Sequence, residues 1–257
     1  MTTDGVPRVS RRVLFLTGGS RGIGAGVVRA AAAQGYDVAF TYREQSDAAH
    51  ALMAEVRAAS PSVRCTAYQL DVRDSAAVER VADRVLEEFD TVHVVVSNAA
   101  ITHAGLAFST ADEAWRDVIE TNLTGSFFVA RQFLAPFLAN GFGRFIFMSS
   151  IAARGMLGDA AYSASKAGLI GLSGTLAREY GRKGITSNAL LLSFFETDMT
   201  RKELSQRSRD FYEEHCPTGR IGQVDEVAAA VLFLASDGAS FVNGQEIGVT
   251  GGLDWFH

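Results

Sequence analysis

Short unbroken apolar runs alternate along this chain with stretches that read as helices. Val13-Leu14-Phe15-Leu16 is the first run, rich in strand formers, and it reads as a strand buried on both faces, as in a parallel sheet. Ala25 to Gln34 then reads as an alanine-rich helix, with Gly35 where a C-terminal cap belongs. The rhythm repeats. Asp37 to Thr41 is a second strand, ended by Tyr42-Arg43. Ser46 to Ala59 is a helix started by Ser46 and closed by Pro61. Val63 to Leu70 is a third strand, and Asp74 or Ser75 caps a helix to about Phe89. Val92 to Val96 is a fourth strand. Strands and helices joined by short loops predict a doubly wound parallel α/β sheet. Ala111 to Ala139 reads as one long helix with Gly125 and Pro136 inside it. Phe145 to Met148 is the fifth strand, Asp159 to Tyr180 a long helix, and Thr186 to Leu192 the sixth strand. Val224 to Ala235 is a helix, and Glu246 to Val249 a last short strand. No repeat or linker interrupts the pattern. One domain over residues 11–257, preceded by a disordered arm over residues 1–10, accounts for all of it.

Thr200 to His215 breaks the rhythm, being polar and charged. It reads either as a solvated helical face or as a mobile lid, since it follows a strand end where such sheets bind ligands.

Composition narrows the function classes. The 257 residues suffice for one α/β domain, and 47% of them are apolar. No stretch is long and apolar enough to span a bilayer, and Met1 to Ser10 has no apolar signal core, so a cytoplasmic protein without membrane contact is expected. A net charge of -5 with no basic stripe argues against nucleic-acid binding. Cys65 and Cys216 read as free thiols in a reducing compartment, and the five histidines form no ligand pair, so no metal site is expected.

Two stretches carry candidate chemistry. The first is Thr17-Gly18-Gly19-Ser20-Arg21-Gly22-Ile23-Gly24, between the first strand and its helix. Glycines there let backbone N–H groups and the positive helix end approach a phosphate. Alone it reads equally as a tight turn; its strand–turn–helix setting points to dinucleotide binding. The second is Tyr162-Ser163-Ala164-Ser165-Lys166. Residues four apart share a helix face, and an ammonium beside a phenol lowers its pKa from about 10 towards a usable acid or base. Taken alone it is also a plain surface pair. Ser150 follows the fifth strand. Asn122 and Gly125 are poor helix formers inside a helix, which predicts a local kink or a wet site.

Gly18, Gly22 and Gly24, Asp71-Val72, Asn98-Ala99, Asn122, Ser150, and Tyr162 with Lys166 come in an order that resembles the short-chain dehydrogenase/reductase family, from Arg12 to about Leu253. Ala167 to Gly171, Leu176 to Glu179, Glu196 to Met199 and Val249 to Gly252 are most similar to its 3-oxoacyl-acyl-carrier-protein reductase branch. The resemblance implies a Rossmann-type sheet of about seven strands in three α/β/α layers, and a homotetramer using the two long helices and the last strand. It implies that Tyr162 gives a proton to the substrate oxygen, that Lys166 tunes it and holds the nicotinamide ribose, and that Ser150 polarises the carbonyl. Asn122 would hold a water leading to Lys166. Asp71 with Val72 would meet the adenine, and Asn98, Ala99 and Ala100 would lie beside the cofactor. Ser20 and Ile23 belong to the phosphate turn, and Phe195 and Thr197 to the loop bordering the nicotinamide.

The cofactor expected is NADPH/NADP+. No carboxylate ends the second strand, and Arg43, beside Tyr42, and Arg21 are placed for a 2′-phosphate, unless Arg43 simply points into water. The expected reaction is reduction of a 3-oxoacyl thioester on an acyl carrier protein. The alternatives are a reductase or dehydrogenase of a free small ketone, sugar, polyol or steroid alcohol, and a non-catalytic cofactor-binding partner protein.

Four positions depart from the family pattern. Ala100 replaces a glycine. Leu192-Ser193-Phe194-Phe195 replaces a Pro-Gly loop. Ser150 and Tyr162 stand one residue closer than expected, a spacing that Ser149 restores. Arg182 and Lys183 supply one part of a basic docking surface, while Asn140-Gly141-Phe142 supplies no charge for another. An altered, greasier cleft points to a specialised β-ketoreductase, for instance of polyketide biosynthesis, rather than to housekeeping fatty-acid synthesis. Trp255-Phe256 reads as a subunit contact or a frayed tail.

Overall fold

The structure, a computed structural model, describes residues 11–197, 200–201 and 205–253. The expected arm over residues 1–10, Asp198-Met199 and Trp255-Phe256 lie outside the described residues. Seven strands form the sheet: β1 (Val13–Leu16), β2 (Asp37–Tyr42), β3 (Cys65–Gln69), β4 (Val94–Ser97), β5 (Gly143–Ser150), β6 (Ile185–Leu192) and β7 (Glu246–Val249). Their order is β3-β2-β1-β4-β5-β6-β7, and all pairings are parallel. The chain returns to the middle of the sheet between β3 and β4, so successive connections leave β1 and β4 in opposite directions.

Side-chain alternation in β1 explains why the sheet is covered twice. Leu14 and Leu16 point to one face, Val13 and Phe15 to the other, and all four are buried. The first face is covered by α1 (Gly22–Ala33), α2 (Ser46–Ala59) and, named ahead in chain order, α8 (Val224–Ala235). A Cβ on Gly26 would stand 2.1 Å from Val224 Cγ1, so this glycine sets how closely α1 and α8 approach. The second face is covered by α3 (Ser75–Phe89), α5 (Gly125–Asn140) and α6 (Ala160–Tyr180). Phe133 of α5 is fully buried, with its ring centroid 4.7 Å from that of Phe15.

Most element boundaries fall within a residue or two of the sequence reading, and three details differ. Gln45, not Ser46, is the residue before α2, and no side chain caps that helix. The Ser46 carbonyl and hydroxyl instead approach His50 Nδ1. The expected long helix is three segments: α4 (Asp112–Ile119), a π-helical turn over Glu120–Thr124, and α5. The kink expected at Asn122 and Gly125 is this extra-residue turn. Of Thr200 to His215, Gln206–His215 forms α7, in which no residue is buried, as a solvated face requires. No described helix is long and apolar enough to cross a membrane.

Asp74 caps α3, its carboxylate accepting from the N–H groups of Ala76 and Ala77 at 2.9 and 3.0 Å. Truncating Phe133 to alanine removes the ring that carries α5 against β1. Phe133→Ala should cost about 3–5 kcal/mol in urea unfolding, and a loss below about 1 kcal/mol would contradict this packing.

Candidate active site

The end of β1 is fastened to the end of β4 by a small hydrogen-bond clamp. Thr17 Oγ1 accepts from the N–H groups of Asn98 and Ala99 at 3.1 and 3.0 Å. Asn98 Nδ2 donates back to the carbonyls of Thr17 and Gly18, both at 2.9 Å. Asn98 thus lies beside the cleft as expected, with its amide spent on shaping the turn. Gly18 and Gly22 have φ of +68° and +54°, where side chains are strained. A Cβ on Gly24 would stand 2.3 Å from the Gly18 carbonyl oxygen and 2.8 Å from Asn98 Nδ2. No residue but glycine fits there.

The turn opens onto a cleft of about 310 Å³. Gly18, Ser20, Arg21, Gly22, Ile23, Gly24, Tyr42, Arg43, Asp71, Val72, Asn98, Ala99, Ala100 and Thr197 all line it. Sequence reasoning missed Thr41 and Thr121, which line it too. Thr41 sits at the end of β2, its Oγ1 accepting from Gly18 N–H (3.3 Å) and its carbonyl from Gly19 N–H (2.8 Å). Thr121 immediately precedes Asn122, and its buried Oγ1 has no hydrogen-bond partner among the described residues. Arg73 holds the Asp71 carboxyl below its ordinary range by side-chain hydrogen bonding, with an N···O separation of 2.6 Å. Arg43 pairs with Glu44 at 2.7 Å, and both face the cleft. Ala100 has ordinary φ, since among the described residues Asp90 is the non-glycine residue at positive φ. The missing family glycine therefore leaves no strain.

Tyr162, Lys166 and Ser150 come together at the C-terminal end of β5 without lining that cleft. Lys166 is one turn beyond Tyr162 on α6, with its Nζ 5.3 Å from the Tyr162 ring centroid. Nζ donates to the Met148 carbonyl at 2.6 Å. The Ser150 side chain lies near enough to the Tyr162 phenol to act on its pKa, and its Oγ accepts from the Ala152 N–H at 3.1 Å. Ser149 is buried and donates to the Lys166 carbonyl at 2.9 Å, so the serine that restores the family spacing is committed elsewhere.

The electrostatics differ from the expectation of a lowered phenol. Burial pushes Tyr162 up to about 12; the nearby Ser150 hydroxyl works against that, and the charge of Asp159 adds to it. Burial also brings Lys166 down to about 8. A phenol raised in this way is fully protonated at neutral pH, the state a proton donor needs.

Asn122 is 1% exposed, and its side chain is saturated. Oδ1 accepts from Ile101 N–H at 2.9 Å, and Nδ2 donates to the Ile101 carbonyl and to Ser165 Oγ, both at 3.0 Å. Its carbonyl accepts from Ser126 Oγ at 2.7 Å. The side chain thereby fixes the segment after β4 against α6. Phe195 turns its ring into the core against Gly222 and contributes no side chain to the cleft. Phe194 instead stacks on Tyr212 of α7, ring centroids 3.8 Å apart, beside Met156.

A family model described as enoyl-(acyl carrier protein) reductase matches residues 18–254. The chain belongs to the short-chain dehydrogenase/reductase family. It is therefore an oxidoreductase by family. A 3-oxoacyl-[acyl-carrier-protein] reductase of Escherichia coli strain K12 is 38% identical over 243 residues, covering 94% of this chain and 97% of the relative. One from Mycobacterium bovis is 39% identical over 252 residues, covering 98% and 96%. Among solved structures, a levodione reductase superposes with a TM-score of 0.91 at 28% identity, covering 97% of this chain and 100% of that one. A variant of a Serratia marcescens short-chain dehydrogenase/reductase does so with a TM-score of 0.88 at 29% identity, covering 95% and 98%.

Removing the Asn122 amide would leave the Ile101 N–H and carbonyl buried without partners. Asn122→Ala should lower unfolding stability by about 2–3 kcal/mol, read in a denaturant titration. An unchanged midpoint would show that water replaces the amide at no cost.

Proposed function

We propose that the protein reduces the ketone of a 3-oxoacyl thioester, carried on an acyl carrier protein, to the 3-hydroxyacyl thioester with NADPH. The observation that carries this reading is the convergence of Ser150 at the end of β5 with Tyr162 and, one turn on, Lys166 of α6. The residues around the glycine turn fit a dinucleotide. Gly24 leaves no room for a Cβ, Thr121 keeps an unpaired buried hydroxyl on the cleft, and Arg21 and Arg43 offer guanidinium groups to a phosphate. Gly18 to Gly24 would hold the pyrophosphate, Asp71 and Val72 the adenine, Arg43 and Arg21 the 2′-phosphate, and Lys166 the nicotinamide ribose.

Bound NADPH supplies the hydride. Tyr162 supplies the proton: its O–H bond breaks and a new O–H bond forms on the substrate oxygen. Ser150 donates a hydrogen bond to the same oxygen and stabilises the charge that develops there. Asn122 acts through position, holding the loop at Ile101 on the substrate side. The curated relatives named as 3-oxoacyl-[acyl-carrier-protein] reductases support the thioester, and Arg182 and Lys183 offer positive charge to an acidic carrier. Assembly as a cytoplasmic homotetramer belongs to the same reading, with Trp115 and Phe127 partly exposed on α4 and α5 and β7 at the sheet edge. A second reading, reduction of a free cyclic ketone, draws on the likeness to levodione reductase and on the apolar cluster of Met156, Phe194 and Tyr212.

Loss of NADPH absorbance with an acetoacetyl thioester, beside NADH, crotonyl thioester and cyclic diketones, tests the assignment. Thioester turnover with NADPH is expected. Turnover of crotonyl thioester alone would move the reaction to the enoyl bond, and turnover of the diketones alone would favour the second reading. Tyr162→Phe should lower kcat at least about a hundred-fold while leaving the Kd for NADPH within about two-fold. An unchanged rate would remove Tyr162 as the proton donor. Arg43→Ala should raise the KM for NADPH about ten-fold or more and leave that for NADH nearly unchanged, in steady-state assays. Equal effects on both would remove the 2′-phosphate contact.

A further inference from the structure

A carboxylate stands beside the reacting groups and has no part in the chemistry above. Asp159 immediately precedes α6, three residues ahead of Tyr162, so the two share a face of the helix start. Its side chain does not cap the helix, since no backbone N–H of α6 donates to it. It reaches across to the segment after β4, where Thr102 Oγ1 donates to Oδ1 at 2.8 Å. The backbones join there too: Gly105 forms a parallel bridge with Asp159, and its N–H donates to the Gly158 carbonyl at 2.8 Å. Asp159 therefore ties two walls of the substrate side together. Its charge also reaches the phenol of Tyr212 on α7, the third wall.

Asp159 is half-buried, and its partner among the described residues is the neutral Thr102 hydroxyl, so its charge is not cancelled by an ion pair there. The Lys166 ammonium is engaged by the Met148 carbonyl rather than by Asp159. The Asp159 charge acts on the Tyr162 phenol three residues on, so a charge carried beside a substrate oxygen on that phenol would meet it.

We propose that Asp159 is a specificity-determining residue that repels a carboxylate near the reacting carbonyl. The protein then takes neutral 3-oxo esters and thioesters and rejects free 3-oxo acids. The inference rests on the carbonyl-reductase reading and narrows it to neutral acyl derivatives. Two like charges several ångströms apart in a partly desolvated cleft discriminate by about ten-fold.

The test compares neutral and anionic members of two pairs: ethyl acetoacetate with acetoacetate, and methyl 4-acetylbenzoate with 4-acetylbenzoate. kcat and KM are measured for each, together with Kd on the NADPH complex from cofactor fluorescence, which reads binding even where turnover is slow. The expected result is a wild-type preference for the neutral member of about ten-fold or more, shrinking with added salt. Asp159→Asn should reduce that preference about ten-fold, mainly through the KM and Kd of the anion. Thr102→Val keeps the charge and loses the hydrogen bond, and should keep the preference, which separates the charge from a displaced loop. An identical neutral-to-anion ratio in wild type and Asp159→Asn would overturn the proposal. Charge discrimination on the aryl ketone pair without reduction of any acetoacetyl compound would leave Asp159 in its role and remove the 3-oxoacyl assignment.

Discussion

The structure depends on the place where β1 and β4 lie side by side and the chain leaves them in opposite directions. At such a point no connection crosses the strand ends, and a crevice opens. An open crevice in the middle of a sheet leaves backbone polar groups to be satisfied. Thr17 and Asn98 do this across the gap, Asn98 donating through its backbone N–H and its amide, Thr17 accepting through its hydroxyl and carbonyl oxygens. The clamp sets the distance between the glycine turn and the Asn98–Ala100 segment. That distance leaves no space for a side chain at Gly24. The cofactor cleft thus follows from strand order, with the glycines permitting it rather than causing it.

A second constraint builds the reacting groups. Burying a lysine and a tyrosine side by side disfavours charge on both, which is why Tyr162 rises and Lys166 falls. Such a site is stable only if the surrounding polar atoms are paired. Lys166 Nζ finds the Met148 carbonyl, Ser149 the Lys166 carbonyl, and Ser165 both Asn122 and the Tyr162 carbonyl. The π turn at Glu120–Thr124 belongs to this network, because it brings the Asn122 side chain to Ile101 and Ser165. Gly125 completes it: a Cβ there would meet Val72 at 2.7 Å, so the turn packs directly on the segment that carries Asp71. The helix defect therefore couples the segment that carries Asp71 to the Tyr162–Lys166 pair.

Much of this was legible in the sequence, for physical reasons that also mark its limits. Continuous apolar runs such as Val13–Leu16 specify buried parallel strands because both faces must be covered. The order of those runs, with the glycine turn after the first, carries the fold. Pairwise spacing on one helix places Tyr162 with Lys166. Interactions between distant segments are the part that was hidden. Nothing local to Phe194-Phe195 says which ring turns inward, and packing against Gly222 decides it. Nothing local to Tyr162 shows its burial, so the raised phenol runs against the expectation drawn from the lysine alone. Ser149 and Ser150 are adjacent in sequence, and only the structure shows that the Ser149 hydroxyl is consumed by the Lys166 carbonyl. Asn122 and Gly125 were visible as misfits in a helix, but the π turn is legible only once both partners of the amide are known.

The departures from the family pattern gather on the substrate side. Ala100 costs the backbone nothing, and the cofactor turn keeps its glycines. Phe194, which follows the Leu192-Ser193 departure, stacks on Tyr212, and Glu196 holds Arg209 of the same helix α7 through two guanidinium nitrogens. Two side chains at the end of β6 thus fasten a helix that has no buried residue of its own. A helix without a core is positioned by whatever holds it, so a change at Phe194 acts on the substrate side through α7 rather than through the cofactor. The same helix brings Tyr212 within reach of Asp159. Variation at the end of β6 can then move α7 while the glycine turn and the Tyr162–Lys166 pair stay as they are.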